Sequence, residues 1–376
     1  MRKSRILLLL LAALTVGVAA DGSRDRASLL ERLDTLRREN SISAVGLALI
    51  EGGEVTFTGG LGSLEHGSSE PVAQDSLFRV GSVTKSFTAL ALVSLAKTRK
   101  TSLDTPFADV VDPLFSNAWS ANSPVTLAQL LEHTAGFSGM SKAEFDFNDS
   151  GAVPLASTLA RYRSRHATAW PPGRFHSYSN VGYAYAGSAI ESLSGLAYEE
   201  YMHRAVLDPL AMLDSGFFVS ADERGRMVAG YDRDGVTPIP YWHMVYRPFG
   251  GLNTTPRDMA QFLCVMIGDG VLGGRRIFPE AVIRRTRQPQ TSLTASARLA
   301  SGYGAGSYSW FRNGIRFHGH GGDADGYLSR YGYTQRNASG YFLVVNAFNS
   351  AALNAMRQDV ESYLTRDLPA VAMPVV

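Results

Sequence analysis

The chain has 376 residues, 45% of them hydrophobic and 19% charged, with 36 basic residues against 34 acidic ones. That suits one large domain or two ordinary ones, and no basic block interleaved with aromatics speaks for nucleic acid. Cys264 is the only cysteine, so no intrachain disulfide can form.

Residues 1–20 read as a secretory signal peptide, with an uncleaved anchor as the alternative. Arg2, Lys3 and Arg5 precede an apolar run, Ile6 to Val16, too short to span a bilayer comfortably. Small residues at Val18-Ala19-Ala20 then offer cleavage near Ala20. No cysteine follows, which rules out a lipid-modified N-terminus. The expectation is a periplasmic or secreted protein that meets a membrane only during export. Losing Arg2, Lys3 and Arg5 leaves 33 basic residues against 34 acidic ones.

Residues 21–376 show no linker, repeat or low-complexity tract. Arg26 to Arg38 has the spacing of an amphipathic helix. Strands are expected over Ala44 to Ile50 and Val55 to Thr58, joined by a Glu51-Gly52-Gly53 turn. A buried helix is expected from Ser82. Helical and loop signals fill Ser102 to Leu213, and Cys264 falls in an apolar run that reads as core. Strands return over Gly306 to Arg312, Ile315 to His320, Tyr327 to Thr334 and Tyr341 to Ala347, before a closing helix from Ala352 to Leu364. Strands at both ends predict an α+β sandwich, an antiparallel sheet flanked by helices. Its sheet lobe comes from about 26–100 and 250–365, and a mostly helical inserted lobe from about 101–249. A cleft between two such lobes is a natural site.

Three stretches carry chemistry. Gly81-Ser82-Val83-Thr84-Lys85 puts a hydroxyl and an amine one helical turn apart, and lysine is scarce here, with five against 31 arginines. A capping serine beside a surface lysine is the plainer reading. Ser94 and Lys97 repeat the spacing near the helix end without the preceding glycine, and we take them as a decoy. The second stretch, Trp170 to Asn180, is a turn-rich loop in which Tyr178 and Asn180 flank a serine, free to face a cleft. A packed tyrosine and an asparagine capping the next helix is the alternative. The third, Phe317-His318-Gly319-His320-Gly321-Gly322-Asp323-Ala324-Asp325, is a strand whose glycines let a ligand approach the backbone. His318 and His320 with Asp323 and Asp325 also make a remote case for metal.

In this order and at these separations, the three stretches resemble the serine β-lactamase and penicillin-binding-protein superfamily, with its Ser-x-x-Lys, Tyr-x-Asn and Lys/His-x-Gly signatures. The likeness is closest to the class C branch of β-lactamases, DD-carboxypeptidases, D-aminopeptidases and esterases. Leu130 to Phe137, Pro172-Gly173, Pro209 to Met212 and Gly250 to Met259 are similar to that branch too. The resemblance implies a cofactor-free enzyme in which Ser82 forms an acyl-enzyme, Lys85 and Tyr178 share the general-base role, and Asn180 orients the substrate amide. His320, Gly321 and Gly322 would bind substrate. The backbone N–H groups of Ser82 and Asp323 would form the oxyanion hole, worth ~3–4 kcal/mol per donor in such sites.

The third signature is His320-Gly321-Gly322, and no lysine follows Lys142, so a Lys-Thr-Gly triad is impossible. Asp323 and Asp325 add negative charge nearby, and like charges about 5 Å apart repel by ~1–3 kcal/mol at intermediate dielectric. The expected substrate is therefore a small molecule or peptide with a neutral or cationic ester or amide, rather than an anionic one. A class C-like β-lactamase, a non-catalytic penicillin sensor and a metal hydrolase using His318 and His320 stand as alternatives. Oligomeric state is silent in the sequence.

Overall fold

The computed structural model describes residues 25–111, 122–137, 139–141, 144, 154–166, 168–298 and 302–369. The signal-peptide reading of residues 1–20 lies outside them. Helix α1 (25–39) leads into β1 (Ala44–Glu51) and β2 (Glu54–Gly62). Gly52 and Gly53, both at positive φ, make the two-residue turn, and Glu51 belongs to the strand instead, paired with Glu54. A short β3 (Phe78–Arg79) precedes α2 (Thr84–Thr98), and α3 (Leu127–Leu131) and α4 (Asn180–Ser194) follow. Next come β4 (Asn253–Thr254), α5 (Pro256–Ile267) and α6 (Glu280–Arg287). The strands β5 (Gly302–Tyr303), β6 (Tyr308–Arg312), β7 (Ile315–Ala324), β8 (Tyr327–Thr334) and β9 (Ser339–Val345) complete the sheet before α7 (Ser350–Leu364).

The sheet is antiparallel, seven strands in the order β2-β1-β9-β8-β7-β6-β5. Period-two alternation decides its two faces. Val45, Leu47, Leu49, Leu343 and Val345 point to one side, where Leu29 and Leu33 of α1 and Leu353, Met356 and Val360 of α7 cover them. Ala48, Ile50, Phe342 and Val344 point to the other, against the main core built from α2, α4 and α5. The sheet is thus a middle layer buried on both sides. Cys264 on α5 is only half-buried, not in the core proper, because it faces the Gly53 turn at the rim.

Two differences from the sequence expectation bear on the site. The chain enters α2 through a 3₁₀ turn, Gly81–Val83, so Ser82 sits before the α-helix and its side chain caps nothing. Thr84 Oγ donates to the Gly81 carbonyl instead, at 2.7 Å. Strand β7 also runs four residues past His320, to Ala324. Its glycines do not end it, because β8 supplies the ladder partners and the missing side chains let neighbours in. A Cβ at Gly322 would stand 1.8 Å from the Val80 carbonyl oxygen.

A buried ion pair joins the middle of the chain to α6. Glu132, just after α3, meets Arg285 at 2.5 Å and accepts the Gln290 and Thr291 N–H groups. Its side chain is wholly shielded from water. Glu132→Ala strands the arginine and is expected to cost about 3–5 kcal/mol. Chemical denaturation checks this, and a loss below about 1 kcal/mol would contradict it.

Candidate active site

Lys85 is fully buried on the first turn of α2. Its Nζ lies 2.9 Å from Ser82 Oγ, 2.8 Å from Asn180 Oδ1 and 2.8 Å from the Phe249 carbonyl oxygen. The rings of Tyr178, Tyr183 and Phe249 surround it at 4.9 to 5.6 Å. Burial drives its pKa well below 10.5, and no carboxylate opposes the shift. The partners then dictate the proton arrangement. Asn180 Oδ1 and a carbonyl oxygen can only accept, so they take the two hydrogens of a neutral amine. The lone pair is left facing Ser82, whose hydroxyl donates to it. Asn180 begins α4 without capping it, and its amide nitrogen is left for a substrate carbonyl.

Tyr178 stands at the cleft mouth, 40% exposed, with its hydroxyl hydrogen-bonded to Ser82. Burial of that hydroxyl raises its pKa, more than the Ser82 hydrogen bond lowers it, so the phenol is held protonated. Its position comes from His133. The ring of His133 lies 4.2 Å from that of Tyr178, its Nδ1 accepts the Ser179 N–H at 3.0 Å, and its carbonyl accepts the Ser177 N–H at 2.8 Å. His133 holds a left-handed φ of 58° to do this, a strained conformation for a side chain of its size. Burial holds its imidazole well below its usual pKa, hence neutral.

Strand β7 forms the opposite wall. His320 Nε2 lies 2.9 Å from the Tyr303 hydroxyl, and burial lowers the imidazole to about 3. The β7–β8 hairpin closes at the Ala324/Tyr327 pair, so by alternation the backbone groups of Asp323 turn away from β8. They turn toward Gly81, where a Cβ would lie 2.3 Å from the Asp323 carbonyl oxygen; Gly81 also sits at φ 50°. Any side chain there would push the strand away from Ser82. A cleft of about 740 Å³ opens over Ser82, Tyr178, His320, Gly321, Gly322 and Asp323.

The metal alternative does not fit this geometry. His318 is engaged by Ser309 Oγ at 2.8 Å and His320 by Tyr303, while alternation puts Asp323 on the other face of the strand. Among the described residues no group of three His, Cys, Asp or Glu could hold a metal ion. The acidic rim is also less acidic than the sequence suggests. Asp325 Oδ2 accepts the Trp242 indole N–H at 2.9 Å. The same indole lies 4.5 Å from the guanidinium of buried Arg79, with Tyr241 on that cation at 5.2 Å. Burial, then Asp325, raises the pKa of Asp323. Arg312 and Arg330 line the same cleft, a positive contribution that the two aspartates alone do not reveal, beside Arg357, which pairs with Glu361 at 3.0 Å. The decoy behaves as one: Ser94 and Lys97 lie near the far end of α2, with Lys97 exposed.

Sequence reasoning missed Phe249, His133 and Tyr303. Phe249 acts through its carbonyl, which no side-chain pattern reports. His133 lay inside Leu130 to Phe137, a stretch noticed without a role. Tyr303, isolated between glycines, carried no signal.

Residues 29–363 match the family described as Beta-lactamase. The chain is 28% identical over 366 residues to penicillin-binding protein 4 of Amycolatopsis lactamdurans, covering 94% of this chain and 92% of that protein. It is 25% identical over 280 residues to a beta-lactamase of Yersinia enterocolitica, covering 74% and 68%. The fold is similar to that of the octameric penicillin-binding protein homologue from Pyrococcus abyssi. There the TM-score is 0.76 and the identity 25%, over 91% of this chain and 78% of that one.

The buried amine generates a direct prediction. In an NMR titration of labelled lysines, the resonance lost in Lys85→Ala should titrate well below 10.5. A midpoint at or above 10.5 would contradict the site as described.

Proposed function

The chain belongs to the beta-lactamase family, a superfamily of serine hydrolases, and from that premise we propose that it hydrolyses an amide or ester through an acyl-enzyme on Ser82. The observation that carries this reading is the Lys85 environment, a desolvated amine whose only remaining valence faces Ser82 Oγ. The Ser82 hydroxyl gives its proton to Lys85 Nζ as Oγ attacks the substrate carbonyl. Negative charge builds on the carbonyl oxygen, between the N–H groups of Ser82 and Asp323. Tyr178, protonated in the free site, then donates its proton to the departing nitrogen or oxygen, and Lys85 re-protonates it. The Asn180 amide nitrogen holds a carbonyl of the substrate, and His320 with Gly321 and Gly322 forms the edge along which the substrate lies. A water activated by the same amine releases the acyl group and restores Ser82.

The identity of the substrate is a further step. A DD-peptidase, D-aminopeptidase or esterase activity is the proposal, and turnover of a β-lactam is its main competitor. The names of the relatives, a penicillin-binding protein and a beta-lactamase, keep that competitor in view. Charge does not exclude it, because the Arg312 and Arg330 guanidiniums stand against the two aspartates at or beside the cleft. The proposed place of action is outside the cytoplasm, on the strength of the N-terminal signal read in the sequence. Among the described residues no helix is long and apolar enough to cross a membrane.

A panel of p-nitrophenyl esters, D-amino-acid amides, D-Ala-D-Ala peptides and a chromogenic cephalosporin tests both parts. We expect turnover of at least one ester or amide, abolished in Ser82→Ala, and a +acyl mass on the wild-type chain only. Turnover that survives Ser82→Ala would contradict the nucleophile. A stable penicillin adduct with no turnover of any substrate would favour the sensor over the enzyme.

A further inference from the structure

Five arginines scattered from 284 to 336 in the sequence meet where α6 ends, β7 begins and β8 ends. Arg284, Arg287, Arg298 and Arg316 line a hollow of about 440 Å³. Arg336 joins Arg316 around an adjoining hollow of about 340 Å³, and the two share His318 and Gln335. Among the described residues no aspartate or glutamate lines either one. Arg284 reaches Glu280 at 3.5 Å and Arg287 pairs with Asp269, but Arg298, Arg316 and Arg336 have no carboxylate partner among the described residues. Arg287 is only 7% exposed, with its guanidinium beside the Tyr333 hydroxyl. The local potential registers on His318, whose imidazole is lowered to about 3 by burial first and then by Arg287 and Arg316. Five guanidiniums, three of them without a carboxylate partner among the described residues, thus gather on one groove of a chain whose charges nearly balance.

We propose that this groove binds an extended phosphate-bearing polyanion, at a site distinct from the Ser82 cleft. The guanidinium fork matches phosphate oxygens two at a time, and two hollows in line suit a polymer better than a single ion. Nucleic acid fits less well. Among the described lining residues the aromatic rings are His318, already held by Ser309, and Phe311, with Arg316 over it at 5.4 Å. That is little stacking surface for bases. His318 and His320 alternate on β7, about 7 Å apart along the strand, so a polymer held here runs alongside the cleft. The groove would keep the enzyme on an anionic polymer while its cleft works nearby. No contiguous basic block announces this site in the sequence, because the fold alone brings the five residues together.

Fluorescence anisotropy with labelled inorganic polyphosphate tests the proposal, using wild type and the triple variant R298A/R316A/R336A. All three side chains are exposed and outside the Ser82 site, so the thermal midpoint should not change and serves as the folding check. Binding should be measurable at low salt, weaken steeply as salt rises, and fall at least tenfold in the triple variant. No binding by wild type at low salt, or equal affinity in a folded triple variant, would overturn the proposal. Single-stranded DNA of equal charge binding as tightly as polyphosphate would overturn the choice of ligand.

Discussion

An amine taken completely out of water is the constraint on which the rest depends. An ammonium at Lys85 would have to be desolvated with no carboxylate to balance it, and the protein answers by favouring the neutral form. Two acceptors, one from α4 and one from the turn before β4, then fix which way the lone pair points. Neither acceptor would suffice alone, since a single one leaves the amine free to rotate a hydrogen toward Ser82. The chemistry at Ser82 thus rests on three segments far apart in the chain, and on a core tight enough to hold them.

The opposite wall is set by absence of side chains. Gly81 and Gly322 lie where any Cβ would strike the backbone of Asp323 or Val80. Their bareness brings the edge of β7 to the nucleophile. On the third side, Glu132 and His133 are neighbours with separate tasks. Glu132 anchors its turn to α6 through Arg285, and His133 uses that fixed turn to hold Tyr178 from three directions. A stability element and a site element share two consecutive residues.

Much of this was legible in the sequence, for identifiable reasons. The strands were readable as apolar runs bounded by turn residues, near-continuous in β1 and β9 because both of their faces are buried. Ser82, Lys85, Tyr178 and Asn180 were readable as spacings, and the structure brings them within hydrogen-bond reach of one another. Three things were not readable. The length of β7 was hidden because glycine signals an end where here it signals a close approach. The Phe249 carbonyl was hidden because any residue supplies one. The charge of the cleft was misjudged because Asp323 and Asp325 are adjacent in sequence to the motif, while Arg312, Arg330 and Arg357 reach the same cleft from β6, β8 and α7. Local sequence shows local charge only.

The central claim is that a neutral Lys85 activates Ser82 while Tyr178 stays protonated. The pH dependence of the rate at which a fluorophosphonate phosphonylates Ser82, with loss of fluoride, tests it most directly. The neutral fraction of Lys85 grows with pH through a midpoint well below 10.5, and Tyr178 loses its proton only above its usual value of 10.0. The rate should therefore rise, level off well before pH 10, and stay level to about that point. A rate still climbing toward pH 10.5, or one indifferent to pH throughout, would contradict the account.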